Sequence, residues 1–137
     1  DFLEPDEVKA SVGLKMALEA GVSPEHITFS SDGQGSLPVF HPDGSFAGLG
    51  IGRVTSLYRE MRDAVLNEGV PLELALRAVT ANPAALLKLE RKGRIGEEMD
   101  GDLVLLDEKN WEISEVFAKG RLMISEGKVL VKGTFEQ

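Results

Sequence analysis

The sequence predicts an α/β fold in which a helix leads into a short buried strand and, after further helices, a β-rich region begins near residue 90. Three observations carry this expectation. Val8, Val12 and Met16 recur every fourth residue until Gly21 interrupts them, which marks one face of a helix. The run His26-Ile27-Thr28-Phe29 follows within a few residues and is rich in strand formers, the short spacing of an α/β unit. Beyond Leu89, Gly93, Gly96, Gly101, Gly120, Gly127 and Gly133 separate the runs LVLL, EVFA, LMIS and VLVKG, which read as strands joined by tight turns.

The elements follow in order. Pro5 suits a first helical turn and Asp6 and Glu7 suit the positive end of its dipole, so the first helix is expected over about Pro5 to Ala20. The strand from His26 to Phe29 ends at Ser31, Asp32 and Gly33. Pro42-Asp43-Gly44-Ser45, flanked by apolar residues, is turn chemistry for a hairpin or flap. Gly48, Gly50 and Gly52 suggest a loose backbone after it. Thr55 is placed to cap a helix whose apolar stripe is Leu57, Met61, Val65 and Leu66 and which stops at Gly69. A second helix is expected from Pro71, and a third at Asn82-Pro83 with Asn as cap and Pro in the first position.

Composition narrows the function. The 137 residues are of single-domain size, and 23 acidic against 15 basic residues give a net charge of -8, the wrong sign for gripping a phosphate backbone. Nucleic acid is therefore not an expected partner. No apolar run approaches the roughly 18 residues that span a bilayer, and the first residues, DFLEPDEV, are acidic where a signal peptide is basic. A soluble, cytoplasmic protein without membrane contact is expected. There is no cysteine, which excludes disulfides, thiolate metal sites and a thiol nucleophile.

Asp32 is the candidate for chemistry. An aspartate at the C-terminal end of a barrel strand faces the mouth where such barrels hold their active sites, so it can serve as a metal ligand or general base. Gly33 and Gly35 would let backbone amides approach a ligand, and Ser36 could donate to an anion. On spacing alone, a turn aspartate bonding its own backbone is the commoner case. His26 and His41 lack the spacing of a paired ligand set, and Ser30 and Ser31 have no neighbouring histidine for a hydrolase triad. Arg53 could reach an anion, although a solvated arginine at a helix start is commoner. Tyr58 and Trp111 read as core or surface fill.

The string ITFSSDGQGSLPVF, followed by the PDG turn, closely resembles the last barrel strand of the isoaspartyl (β-aspartyl) dipeptidases, metal-dependent amidohydrolases that cleave β-aspartyl peptides. TANPAALLKL resembles the helix that closes amidohydrolase barrels, KGRIGEEMDGDLVLLD the segment that re-enters a small β-sandwich, and GRLMISEGKVLVKGTFE the end of these dipeptidases. Gly101 departs from the alanine usual there, a matter of packing.

The resemblance implies the C-terminal part of a (β/α)8 TIM barrel over residues 1–89, with strands of a composite β-sandwich over 90–137. It implies an oligomeric metalloprotease with two zinc ions and a small β-aspartyl dipeptide as substrate. Asp32 would bind one zinc and transfer a proton, and Ser36, with Gly35 beside it, would hold the substrate. The His-x-His pair, carboxylated lysine and two further histidines of that family have no counterpart here. A whole barrel takes roughly 250 residues, so the chain is expected to be the C-terminal portion of a longer enzyme and inactive alone. Two alternatives are an amidohydrolase acting on another amide, dihydroorotase-like or deacetylase-like, and a non-catalytic module.

Overall fold

A computed structural model describes residues 8–133. Pro5, Asp6 and Glu7 lie outside the described residues. Helix α1 spans Ala10–Glu19, and its inward face differs from the expected stripe. Ser11 and Leu14 are buried and Leu18 packs beside them, while Val8 and Met16 are exposed. The bulkier leucines, spaced four apart, face the next helix and win the contact.

After Gly21, whose φ of 82° only glycine adopts without strain, the expected strand is replaced. Pro24–His26 forms a 3-10 turn, and residues 27–30 run extended with no strand beside them among the described residues. Ile27 and Phe29 are half-buried against the helical core while Thr28 and Ser30 are exposed. The alternation is that of a strand, but a parallel neighbour is needed to complete a ladder. The backbone bonds instead to the helices, with the Phe29 N–H donating to the Ala78 carbonyl at 3.0 Å and the Ile27 carbonyl accepting from the Asn82 side chain at 2.7 Å.

Strands β1 (Ser36–Phe40) and β2 (Phe46–Ile51) form an antiparallel hairpin in which Ser36 faces Ile51 and Pro38 faces Leu49. Asp43 Oδ1 accepts both the N–H and the hydroxyl of Ser45, and Gly44 sits at φ 82°, as the PDG turn requires. The expectation of a loose backbone is corrected at Gly48 and Gly50, which lie inside β2 opposite Val39 and Leu37.

Helices α2 (Ser56–Leu66), α3 (Leu72–Val79) and α4 (Ala81–Leu86) follow. Leu14, Met61, Ala64, Val70 and Ala75 make the buried centre. Two expected caps are corrected. Thr55 has helical dihedrals and no capping bond; the turn is closed by Ser56, whose N–H and hydroxyl both donate to the Arg53 carbonyl. Asn82 lies within α4, buried, and its amide Nδ2 donates to the carbonyls of Pro24 and Ile27 at 2.6 and 2.7 Å.

The remainder is an antiparallel meander of β3 (Leu103–Leu106), β4 (Ile113–Ala118), β5 (Arg121–Ser125) and β6 (Lys128–Val129). Both two-residue turns, Lys119-Gly120 and Glu126-Gly127, have positive φ at each position, the geometry whose twist matches the flanking strands. Lys92 pairs with Asp100 and Asp102 at the entry to the sheet, where Asp102 Oδ1 also accepts the Lys119 N–H at 2.7 Å. Trp111 is half-buried, and its carbonyl accepts the Tyr58 hydroxyl, which ties α2 to the β3–β4 turn.

Candidate active site

The Asp32 loop is held by close backbone approach. The Gly35 N–H donates to the Asp32 carbonyl at 2.9 Å, the Gln34 N–H to the Gly52 carbonyl at 3.0 Å, and the Gly52 N–H to the Gly35 carbonyl at 2.9 Å. The base of the hairpin thus closes directly on the loop. Asp32 and Gln34 both have positive φ, 46° and 68°, a region that costs most side chains about 1–2 kcal/mol and that aspartate tolerates better than most.

Two glycines make this geometry possible. A Cβ on Gly52 would lie 2.4 Å from the Asp32 carbonyl oxygen, and one on Gly35 would lie 2.7 Å from Asp32 Oδ2. The Asp32 carboxylate therefore folds over the bare Cα of Gly35. Gly33 is also crowded, its missing Cβ falling 2.5 Å from Val54 Cγ1. Ser30 Oγ accepts the Asp32 N–H at 3.4 Å. Asp32 is exposed, as is Ser36, the first residue of β1.

The fold thus gathers Asp32, Gly35 and Ser36 within one turn and strand start. His26 closes the 3-10 turn and His41 sits at the hairpin tip, both exposed. Among the described residues, no group of three or more His, Cys, Asp and Glu side chains could hold a metal ion. Asp32 offers one carboxylate, and the described residues do not by themselves fit a zinc site. What the sequence pattern did not reveal is Asn82, whose amide anchors the segment that leads to Asp32. Its Asn-Pro context looks like a cap because the pairing partners lie 55 and 58 residues away.

The architecture has known relatives. A β-aspartyl dipeptidase from Fervidobacterium islandicum AW-1, solved in complex with β-Asp-Leu dipeptide, is similar at 37% identity with a TM-score of 0.79, covering 98% of this chain and 35% of that one. A second structure of β-aspartyl dipeptidase from that organism gives 32% identity and a TM-score of 0.74, over 96% of this chain and 32% of that one. An N-acetylglucosamine-6-phosphate deacetylase from Thermotoga maritima shares the fold at 18% identity, with a TM-score of 0.61 over 82% of this chain and 34% of that one. The chain spans about a third of the length of these relatives. No helix among the described residues is long and apolar enough to cross a membrane. Residues 8–123 match the amidohydrolase family, and with the fold in agreement over nearly its whole length, the chain belongs to that family.

Proposed function

We propose that this chain is the C-terminal part of a zinc-dependent β-aspartyl dipeptidase, with residues 1–89 contributing to its barrel and 90–137 to its β-sandwich. The observation that carries the reading is the 37% identity, over 98% of the chain, to a β-aspartyl dipeptidase solved with β-Asp-Leu. The loop geometry supports it: an exposed carboxylate sits on a tightly bonded turn and a serine hydroxyl stands four residues on.

In this reading Asp32 accepts a proton from the attacking water as the oxygen bonds to the side-chain amide carbon. It returns that proton to the departing α-amine as the C–N bond breaks, the work of a carboxylate within hydrogen-bond reach. Ser36 donates a hydrogen bond to the substrate. Zinc belongs to the reading as the family's cofactor, with Asp32 as one donor and the others outside the described residues. The 137-residue chain alone is then expected to hold zinc weakly and to hydrolyse nothing.

The test is hydrolysis of β-Asp-Leu by the whole enzyme before and after Asp32→Asn. Asparagine cannot accept the proton, so kcat should fall by about 100-fold or more with the fold retained. Near-normal kcat would remove Asp32 from the chemistry. Failure of the unaltered enzyme on β-aspartyl dipeptides, with turnover of another cyclic or acetylated amide, would replace the substrate.

A further inference from the structure

The chain contains three Asp-Gly pairs, Asp32-Gly33, Asp43-Gly44 and Asp100-Gly101. Such a pair is chemically labile, because a glycine nitrogen carries no neighbouring Cβ to hinder its approach to the aspartate side-chain carbon. The fold disarms two of them. Asp43 Oδ1 accepts the hydroxyl and the N–H of Ser45 at 2.6 and 2.9 Å, and those bonds hold its carboxyl below the usual carboxylate range. The Gly44 N–H is itself engaged, donating to the His41 carbonyl at 2.9 Å. Asp100 lies 3.0 Å from Arg91 Nε and 3.1 Å from Lys92 Nζ, and the Lys92 bond likewise holds its carboxyl down. Its N–H and carbonyl are fixed by the Arg91 carbonyl and the Asp102 N–H at 2.9 and 2.8 Å. An ionised carboxylate wrapped in donors is a poor electrophile, and each bond that fixes the pair must be broken before it can react.

Asp32-Gly33 differs on both counts. Among the described residues no donor holds the Asp32 carboxylate, and the Gly33 N–H meets no acceptor. The carboxylate folds back over its own turn, with Oδ2 and Cγ 2.7 and 2.8 Å from where a Gly35 Cβ would stand. Asp32, Gly33 and Gln34 are all exposed, so water reaches the pair. Glycine is also required there for space, since a Cβ on Gly33 would fall 2.5 Å from Val54 Cγ1 and 3.1 Å from Ser31 Oγ. The loop therefore keeps a labile pair at its candidate reactive residue.

We propose that Asp32-Gly33 is a site of spontaneous backbone modification, at which Asp32 converts to isoaspartate through a cyclic imide. The Gly33 nitrogen bonds to Asp32 Cγ and gives up its proton, and a carboxyl oxygen leaves as water. Water then adds to the former main-chain carbonyl carbon of Asp32, and the bond from that carbon to the Gly33 nitrogen breaks. One water is lost and one regained, so the mass is unchanged. The main chain now runs through Cβ and Cγ, longer by a carbon, and the free carboxylate sits directly on Cα. The new link is a β-aspartyl bond. Loss of the Asp32 proton-transfer role on conversion rests on the dipeptidase reading, whereas the modification itself does not.

The experiment ages the 137-residue chain at neutral pH and maps its peptides by fragmentation that distinguishes α- from β-linked aspartate, with circular dichroism following the fold. Isoaspartate should accumulate at position 32 about fivefold or more faster than at 43 or 100, the scale of one hydrogen bond to be broken at each locked pair. In urea the three rates should converge. Gly33→Ala, combined with Val54→Ala to clear the contact, should slow conversion at 32 and leave 43 and 100 unchanged. Equal rates at the three pairs in the folded chain, or no conversion at 32, would overturn the proposal. The whole enzyme, aged in the same way, should lose kcat in step with the isoaspartyl fraction at 32 while the KM of the remainder holds. Full kcat at high conversion would leave the modification standing and remove Asp32 from the chemistry. Conversion in the chain but none in the whole enzyme would overturn the link to activity.

Discussion

Gly52→Ala tests how the Asp32 loop is held. The added Cβ would sit 2.4 Å from the Asp32 carbonyl oxygen and 3.2 Å from its carbonyl carbon. Both are backbone atoms in a turn closed by its own hydrogen bonds, so neither can swing aside as a side-chain tip would. Relief requires the hairpin base to separate from the loop, which stretches the bonds from Gln34 N–H to the Gly52 carbonyl and from Gly52 N–H to the Gly35 carbonyl. Overpacking of this kind costs about 1–3 kcal/mol, and two weakened bonds add roughly 1 kcal/mol more. A loss of about 2–4 kcal/mol corresponds to a fall in Tm of roughly 8–16 °C for a chain of this size. Urea denaturation and a thermal melt of the chain measure it. Gly96→Ala is the control, since its Cβ would meet only the Met99 side chain, at 3.4 Å. If Gly52→Ala melted alongside Gly96→Ala, the loop would not depend on that contact and the close-approach argument would be wrong.

Three further outcomes are expected. Gly13→Ala, inside α1 with its nearest neighbour, Val8 Cγ2, at 3.9 Å, should stabilise the chain by about 0.5–1 kcal/mol in urea denaturation. Asn82→Asp turns a buried donor toward two carbonyls into a carboxylate; the loss should be about 3 kcal/mol in the same assay, and a neutral result would deny Asn82 its anchoring role. Lys92 concerns pH. Its hydrogen bonds hold the Asp100 and Asp102 carboxyls below the usual carboxylate range, and the bond to Asp102, then that to Asp100, lifts Lys92 above its own. The carboxylates' contribution is present above about pH 4 and lost as pH falls through their lowered values, while the lysine's is present below about pH 10 and lost as pH rises through its raised one. Lys92→Met should flatten both limbs of a Tm-against-pH curve, and unchanged limbs would show that the cluster is too solvated to matter.

Legibility in the sequence followed the range of the interactions. The meander was readable because Gly120 and Gly127 mark two-residue turns whose chemistry is local, and the PDG turn was readable for the same reason. The Asp32-Gly-Gln-Gly-Ser string was readable as a turn because the Gly35 N–H bond to the Asp32 carbonyl is local too, whereas its reading as a site came from the family resemblance. What could not be read depended on distant partners. The Ile27–Phe29 segment has strand composition, but whether it joins a ladder is decided by a neighbour, and no strand lies beside it among the described residues. Val8 and Met16 carry a helical period equal to that of Leu14 and Leu18, and only the position of α2 selects the buried face. Thr55 and Asn82 look like caps locally; Asn82 is claimed instead by carbonyls far along the chain.

The Asn82 anchor has a kinetic side. Its two bonds span 55 and 58 residues, so fastening the segment that leads to Asp32 onto α4 closes a long stretch of chain. Closing so long a loop is an entropic task that local turns such as Glu126-Gly127 never face. The meander and hairpin close by local contacts, whereas the stretch that presents Asp32 depends on distant ones. A protein arranged in this way brings its candidate carboxylate into position only with the help of parts of the fold far along the chain.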